Sequence, residues 1–404
     1  MSLLRKLSYF WDYLIHSPLK IDALIRLGYR AQLRSAWSLR RSGRASALPP
    51  LMTIEINKIC NLRCVQCWEW GENGAYLDQE VALGKTDELD TEAWLRFIDQ
   101  AAAWKPYVYF SGGEPFLRKD LVQMIERLTS RGLLSAVNSN ATLITPALAE
   151  KIVRARLDYF VASLDGPQAV NDAIRRGDNV FEKVIQGIQS LVEAKRRLGI
   201  PFPVIEVVMT LTSENQSQLV KTAELVDTLG VDFFRIQFGA FTNSELFRAT
   251  RERFEKEFRR TPRLIAGYIR DVSSMDCDSL ARQEAEIRSR NWTFEYKRFP
   301  KEEVLDFDYR DYFHSPARVF GEKVCHVPWK RAEILSNGDV AGCRRFPEAV
   351  SGNITRAGFS EIWNGTGMKT FRGSLEDHGL FASCSRCVEL YSLDESDRRK
   401  RRRP

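Results

Sequence analysis

Between residues 52 and 240 short apolar runs alternate with longer amphipathic stretches. MTIEI (52–56), YVYF (107–110), LLSAVN (133–138), YFVASL (159–164), VIEVVMTL (204–211) and FFRIQF (233–238) are short and rich in β-branched and aromatic residues, so each predicts a strand. Helical spacing fills the gaps. DTEAWLRFIDQAAAW (90–104), with Asp90 or Thr91 as cap, is the first such stretch, followed by DLVQMIERLTSRG (120–132) and TPALAEKIVRA (145–155). VFEKVIQGIQSLVEAKRRLG (180–199) and NQSQLVKTAELVDTLG (215–230) complete the series. Apolar strands alternating with helices predict an α/β fold with a parallel sheet and helices outside. Six β-α units are too few for a closed eight-stranded barrel and fit a partial (β/α)6 barrel.

The flanks have a different texture. Residues 1–47 look helical and basic, with Arg26, Arg30 and Arg34 on one face and Leu24, Leu27 and Ala31 at apolar helical spacing. That face reads as the solvated side of a docked helix; the alternative is an interfacial helix meeting lipid or an acidic leader peptide. Pro49-Pro50 punctuates the chain. Residues 241–320 are charged and aromatic, helical at first. AEILSN-GDVAGC (332–343) predicts a hairpin turning at Asn337-Gly338, both at positive φ. A short helix at SEIWN (360–364) and the CSRC stretch (384–387) follow. The expected organisation is a basic helical extension (1–50), the barrel (51–240), a helical or irregular connecting region (241–320), a small C-terminal module of hairpin and helix (321–392), and a basic, disordered tail (393–404).

Charge refines this picture. The net charge is +7, yet the first fifty residues and the run Arg398–Arg403 carry +7 and +6, leaving the body at −6. A mildly acidic body excludes a nucleic-acid-binding core and leaves the termini as contacts for an anionic partner or a membrane surface. Arg5, Lys6 and Asp12 interrupt the N-terminal apolar run, no run is long enough to span a membrane, and the chain reads as cytoplasmic.

The eight cysteines are the strongest chemical signal. In a large chain with no secretory signal, clustered thiols point to metal rather than disulfides. Cys60, Cys64 and Cys67 form C-x3-C-x2-C straight after the first strand, at the sheet end where parallel α/β folds place their sites. Three thiolates fall one short of a closed structural site, so one metal coordination position stays open. SGGEP (111–115) follows the second strand. Gly112 and Gly113 permit close backbone approach, Glu114 offers a carboxylate that accepts from an ammonium group, and Pro115 fixes the turn.

C-x3-C-x2-C followed one unit later by SGGEP resembles the radical S-adenosylmethionine (SAM) enzymes. The resemblance covers about residues 52–240 and implies a 4Fe–4S cluster on Cys60, Cys64 and Cys67, its fourth iron chelated by SAM. Reduction would split SAM to a deoxyadenosyl radical that takes hydrogen from a substrate. It further implies SAM contacts from Gly112, Gly113, Glu114 and Pro115, from Asn138 in VNSNAT (137–142), and from Ser163 and Arg175 in SLDGPQAVNDAIRRG (163–177). The Ile236 backbone matches a contact to adenine. The family's aromatic residue before the third cysteine is here Gln66, with Trp68 beyond it; that departure bears on the adenine contact rather than on the cluster.

Cys325, Cys343, Cys384 and Cys387 are four thiols that zinc or an iron–sulfur cluster would fit by count. Their arrangement, with GN (352–353) and EIWN between, resembles the SPASM module in its shortened twitch form, which implies one auxiliary 4Fe–4S cluster with no free iron. Cys277 is left over: a buried inert thiol, or a hydrogen-atom donor as in an epimerase. His314, His326 and His378 show no ligand spacing. The resemblance implies an oxidoreductase that acts on a peptide or a small polar substrate, draws electrons from a reductant such as flavodoxin or ferredoxin, and sends one out through the auxiliary cluster. Alternatives are a sugar or cyclitol dehydrogenase, an epimerase, or a non-catalytic zinc or iron–sulfur protein.

Overall fold

A computed structural model describes residues 44–77, 87–300, 308–320 and 324–391. The predicted N-terminal helix, apart from its last residues, and the basic tail lie outside these.

All six predicted strands form, as β1 (Leu51–Glu55), β2 (Tyr107–Ser111), β3 (Ser135–Ser139), β4 (Tyr159–Ser163), β5 (Val204–Leu211) and β6 (Phe233–Phe238). Each pairs in parallel with the next. Helices α1 (Thr91–Ala101), α2 (Leu121–Ser130), α3 (Pro146–Arg154), α4 (Gln168–Arg175), α5 (Val180–Leu198) and α6 (Leu219–Asp227) join them. The Asp90 carboxylate caps α1 by accepting from Ala93 N at 2.7 Å, and Thr145 caps α3 with Pro146 at its first position. Strand β6 shows how sequence sets the two faces. Phe234, Ile236 and Phe238 enter the apolar core, while Arg235 and Gln237 face the barrel interior.

The connecting region contributes more than the sequence suggested. After α7 (Ser244–Phe258) and α8 (Cys277–Ser289), Glu295–Phe299 forms β7, parallel to β6. Its EYKRF sequence is too charged to predict a strand. The charges are absorbed by tertiary partners: Lys297 pairs with Glu206 at 3.2 Å and Arg298 with Glu284 at 3.2 Å. Helix α9 (Tyr309–His314) ends this region.

At the opposite edge, α10 (Val327–Lys330) leads into β8 (Arg331–Ile334), β9 (Asp339–Cys343) and β10 (Phe346–Asn353). Strand β8 lies parallel to β1, so the C-terminal segment extends the barrel's own sheet to ten strands. Strand β9 is antiparallel to both β8 and β10. The turn departs from the expected form. Gly338 N donates to Leu335 O at 2.8 Å, and of the Asn337-Gly338 pair only Gly338 has positive φ (85°). The loop is therefore longer than a two-residue hairpin turn, and a single glycine closes it.

Helices α11 (Phe359–Trp363) and α12 (Thr366–His378) cover this edge. A small second core, with Phe254 of α7 stacked on Phe346 at 5.1 Å, locks it to the barrel. Burying a side chain such as Phe254 contributes about 1.5–3 kcal/mol. Arg253 reinforces the seam, donating to Ser374 O, Gly379 O and Leu380 O. No helix among the described residues is long and apolar enough to cross a membrane.

Candidate active site and metal centres

The loop after β1 carries Cys60, Cys64 and Cys67, and its position is fixed by the loop after β2. Gly113 N donates to Asn57 O at 3.1 Å, Glu114 N to Ile59 O at 2.7 Å, and Asn57 Nδ2 to Glu114 O at 2.8 Å. The two glycines make this possible. A Cβ on Gly112, whose φ is 141°, would lie 2.3 Å from Asn57 O, and one on Gly113 would lie 2.1 Å from Ile59 O. The close approach they permit is first of all to the cysteine loop. On its other side, Arg270 donates to the carbonyls of Val65 and Gln66.

Glu114 is fully buried and does not line the cavity described below. One carboxylate oxygen accepts from Phe116 N and Ser139 Oγ, at 3.0 and 2.8 Å, and the other from Asn140 N at 2.8 Å. Burial holds its carboxyl above the usual range even so. Both oxygens are thus committed to tying the β2 and β3 loops together. Pro115 opens the 3-10 turn beyond, also away from the cavity.

Seven of the eight cysteines line one cavity of about 480 Å3 over the C-terminal ends of the strands: Cys60, Cys64, Cys67, Cys325, Cys343, Cys384 and Cys387. Of the sequence-derived SAM contacts, Gly112, Gly113, Asn138, Ser163 and Arg175 line it as well. The Ile236 side chain is buried in the core, leaving only its backbone toward this side. Cys277 lies elsewhere. It starts α8, is buried, and sits 3.6 Å from both Met275 O and His314 Nε2, a setting that fits the inert thiol.

Arg175, at the end of α4, is 5% exposed and ion-paired with the buried Asp165 at 2.7 Å. Asp165 also accepts from Gln66 Nε2 at 2.6 Å and Thr210 N at 2.9 Å. Asp165 belongs to the SLDGP stretch, but its role depends on β5 and the cysteine loop and has no local signal in the sequence. Sequence also missed Tyr107, Tyr109, Arg235, Arg331, Arg344, Arg345, Glu69 and Glu389, all on the cavity wall. The one local signal was the Arg344-Arg345 pair directly after Cys343. Trp68, noted beside the departure at Gln66, also lines the cavity and stacks on Tyr268 at 5.3 Å.

The donors suit iron–sulfur clusters. Burial pushes the Cys60, Cys67 and Cys384 thiols up to about 12 and raises Cys64, Cys325 and Cys343 too, so these side chains stay protonated until a metal displaces the proton. Among the described residues no group of His, Cys, Asp or Glu is arranged to hold a single metal ion. Cavity-lining residues also keep buried polar atoms without a partner, among them Gln66 Oε1, Arg175 Nε and Arg345 Nη2. Buried groups of this kind ordinarily find a partner, and a bound cofactor supplies one.

A partial barrel whose rim gathers two thiol sets over one cavity is the scaffold of an iron–sulfur enzyme. Comparison with known proteins gives the family. The radical SAM superfamily signature matches residues 54–226, and that of the SPASM iron–sulfur cluster-binding domain matches residues 325–388. The chain belongs to the radical SAM superfamily and is an enzyme with a C-terminal SPASM domain. Its cofactors are accordingly a 4Fe–4S cluster, S-adenosylmethionine and an auxiliary iron–sulfur cluster. It is 27% identical to the AdoMet-dependent heme synthase of Methanosarcina barkeri over 84% of this chain and 88% of that one. It is 30% identical to the mycofactocin maturase of Mycobacterium tuberculosis over 45% of this chain and 43% of that one. Among solved structures, SuiB of Streptococcus suis bound to precursor peptide SuiA shares the fold, with TM-score 0.57 and 16% identity over 82% of this chain and 68% of that one.

Proposed function

We propose that this enzyme removes a hydrogen atom from an anionic substrate, a peptide or a small carboxylic acid, and passes the remaining electron to the auxiliary cluster. The observation that carries this is the single cavity shared by the two thiol sets, which lets one substrate reach both. In this reading Cys60, Cys64 and Cys67 hold the SAM-binding cluster, and Cys325, Cys343, Cys384 and Cys387 the auxiliary one. When bound, these groups supply reductive SAM cleavage, hydrogen abstraction and a one-electron acceptor. The loops bearing Gly112–Pro115, Asn138 and Ser163, with Arg175 and the Ile236 backbone, hold and orient SAM.

The cavity wall supports an anionic substrate. Arg175, Arg235 and Arg331 are neutralised by Asp165, Glu206, and the pair Glu333 and Glu389. Arg344 makes no close ion pair among the described residues, although the charges of Glu69 and Glu333 act on it: it donates to Ser111 Oγ at 2.5 Å and lies 5.3 Å from the Trp68 ring. A guanidinium held this way presents its free edge to a carboxylate. A peptide substrate is consistent with relatives such as the PqqA peptide cyclase and the mycofactocin maturase. The long match to a heme synthase favours, as a second reading, a small carboxylated substrate. The reductant is a flavodoxin or ferredoxin, and the enzyme works in the cytoplasm, where thiols stay reduced.

The test is anaerobic turnover with dithionite, SAM and a deuterated candidate from each class, either an acidic precursor peptide or a carboxylated tetrapyrrole. Deuterium in the released deoxyadenosine identifies the substrate. Replacing Cys384 and Cys387 by Ala should spare SAM cleavage and block product. Full product formation in that variant would refute the electron outlet.

A further inference from the structure

The two thiol sets sit in different electrostatic surroundings. Charges of both signs act on the first: Glu114 on Cys60 and Glu69 on Cys67, but on Cys64 Arg175 ahead of its ion-pair partner Asp165, and Arg63 as well. Cations act on the second: Arg331 on Cys325, and Arg345 and Arg253 on Cys384. Of these, Arg331 is neutralised by Glu333 and Glu389, and Arg253 by Glu257.

Arg345 is the exception. It is 4% exposed and, among the described residues, pairs with no carboxylate. Its Nη1 donates to Ser383 O at 2.8 Å, its guanidinium lies 4.2 Å from the centre of the Tyr268 ring, and its backbone N–H donates to Cys343 Sγ at 3.4 Å. Nη2 is buried and unsatisfied. A charge stripped of water with a spare donor is costly unless something anionic meets it. The side chain lines the same cavity wall as Cys343, Cys384 and Cys387. Arg386, equally buried and between two of the thiols, differs in that its donors are taken by the carbonyls of Tyr312, Ser315, Arg318 and Ser385.

We propose that Arg345 is a redox-positioning residue: its guanidinium compensates the auxiliary cluster's negative charge and raises its reduction potential, making that cluster the electron acceptor of the pair. Reduction adds an electron, and a fixed neighbouring cation in a water-poor setting stabilises the more negative state. The auxiliary potential is thereby raised by a fixed charge of the chain, in the direction that favours electron transfer from substrate to that cluster. This rests on Cys325, Cys343, Cys384 and Cys387 holding that cluster.

The experiment is an EPR-monitored redox titration of the auxiliary cluster alone, in reconstituted protein with Cys60, Cys64 and Cys67 replaced by Ala. Arg345→Gln in that background should move the midpoint negative by a tenfold change in the reduced-to-oxidised ratio or more, 59 mV for a one-electron couple. Arg345→Lys, which keeps the charge and loses the planar fork, should stay close to the parent. An unchanged midpoint in Arg345→Gln with iron retained overturns the proposal. Loss of the iron in both Arg345 variants also overturns it, by assigning the residue a purely structural role. Absence of iron in the parent background would instead refute the ligand assignment on which the proposal rests.

Discussion

Gly113→Ala probes the joint between the cysteine loop and its neighbour. The added methyl would lie 2.1 Å from Ile59 O, 2.4 Å from its carbonyl carbon and 2.8 Å from Lys58 O. All three are backbone atoms, so no side chain can turn aside. Restoring ordinary contact at 3.4 Å means opening the two loops by about 1.3 Å. That displacement breaks the bonds Gly113 N–Asn57 O and Glu114 N–Ile59 O. Two hydrogen bonds at about 1 kcal/mol each, with overpacking of about 1–3 kcal/mol, give a cost of about 3–5 kcal/mol. Cys60 follows Ile59 directly, so the first ligand moves with the loop. Chemical denaturation of the apoprotein measures the stability loss, and the EPR change on adding SAM to the reconstituted protein reads the site. A misplacement near 1 Å should lower SAM-dependent cleavage by about 100-fold. Gly358→Ala, with nothing within 4 Å of the added methyl, is the control and should behave as wild type. If Gly113→Ala matched that control in both assays, the close-packed joint would not govern the site.

Arg175→Met should destabilise the protein by about 3–5 kcal/mol, read by denaturation, because it leaves the fully buried Asp165 charge without its ion pair. Glu114→Gln should cost about 1–3 kcal/mol and weaken SAM binding by calorimetry, since its amide would face a donor at Phe116 N, Ser139 Oγ or Asn140 N. Glu55 on β1 is pushed up to about 8, first by burial and then by the charge of Glu69. The folded state therefore keeps a proton that the unfolded chain has already released, and stability should fall as pH rises from about 4.5 to about 8. Glu55→Gln should flatten that decline and exceed wild type in melting temperature at pH 8.5; a parallel decline in both would refute the assignment.

The parts of this protein written in local pattern were legible in its sequence. Strands β1 to β6 are apolar and regularly spaced, and C-x3-C-x2-C carries an open metal position in its spacing, while SGGEP and the four later cysteines are legible through the family resemblance. What escaped depends on partners distant in the chain. Strand β7 reads as charged loop until Glu206 and Glu284 are seen to hold Lys297 and Arg298. Glu114 reads as a free carboxylate until the β3 loop supplies Ser139 and Asn140. The four later cysteines suggested a separate module, and nothing local reveals that β8 would pair with β1 and bring those thiols to the same cavity as the first three. Arg344 and Arg345 look like ordinary surface charge until the cavity surrounds them.

The central claim is that seven thiols hold two clusters around one cavity, and metal analysis of anaerobically purified protein tests it most directly. The account predicts about eight irons per chain, half of them lost when Cys60, Cys64 and Cys67 are replaced by Ala. Stoichiometric zinc in place of iron, or an iron content unmoved by those replacements, would contradict it.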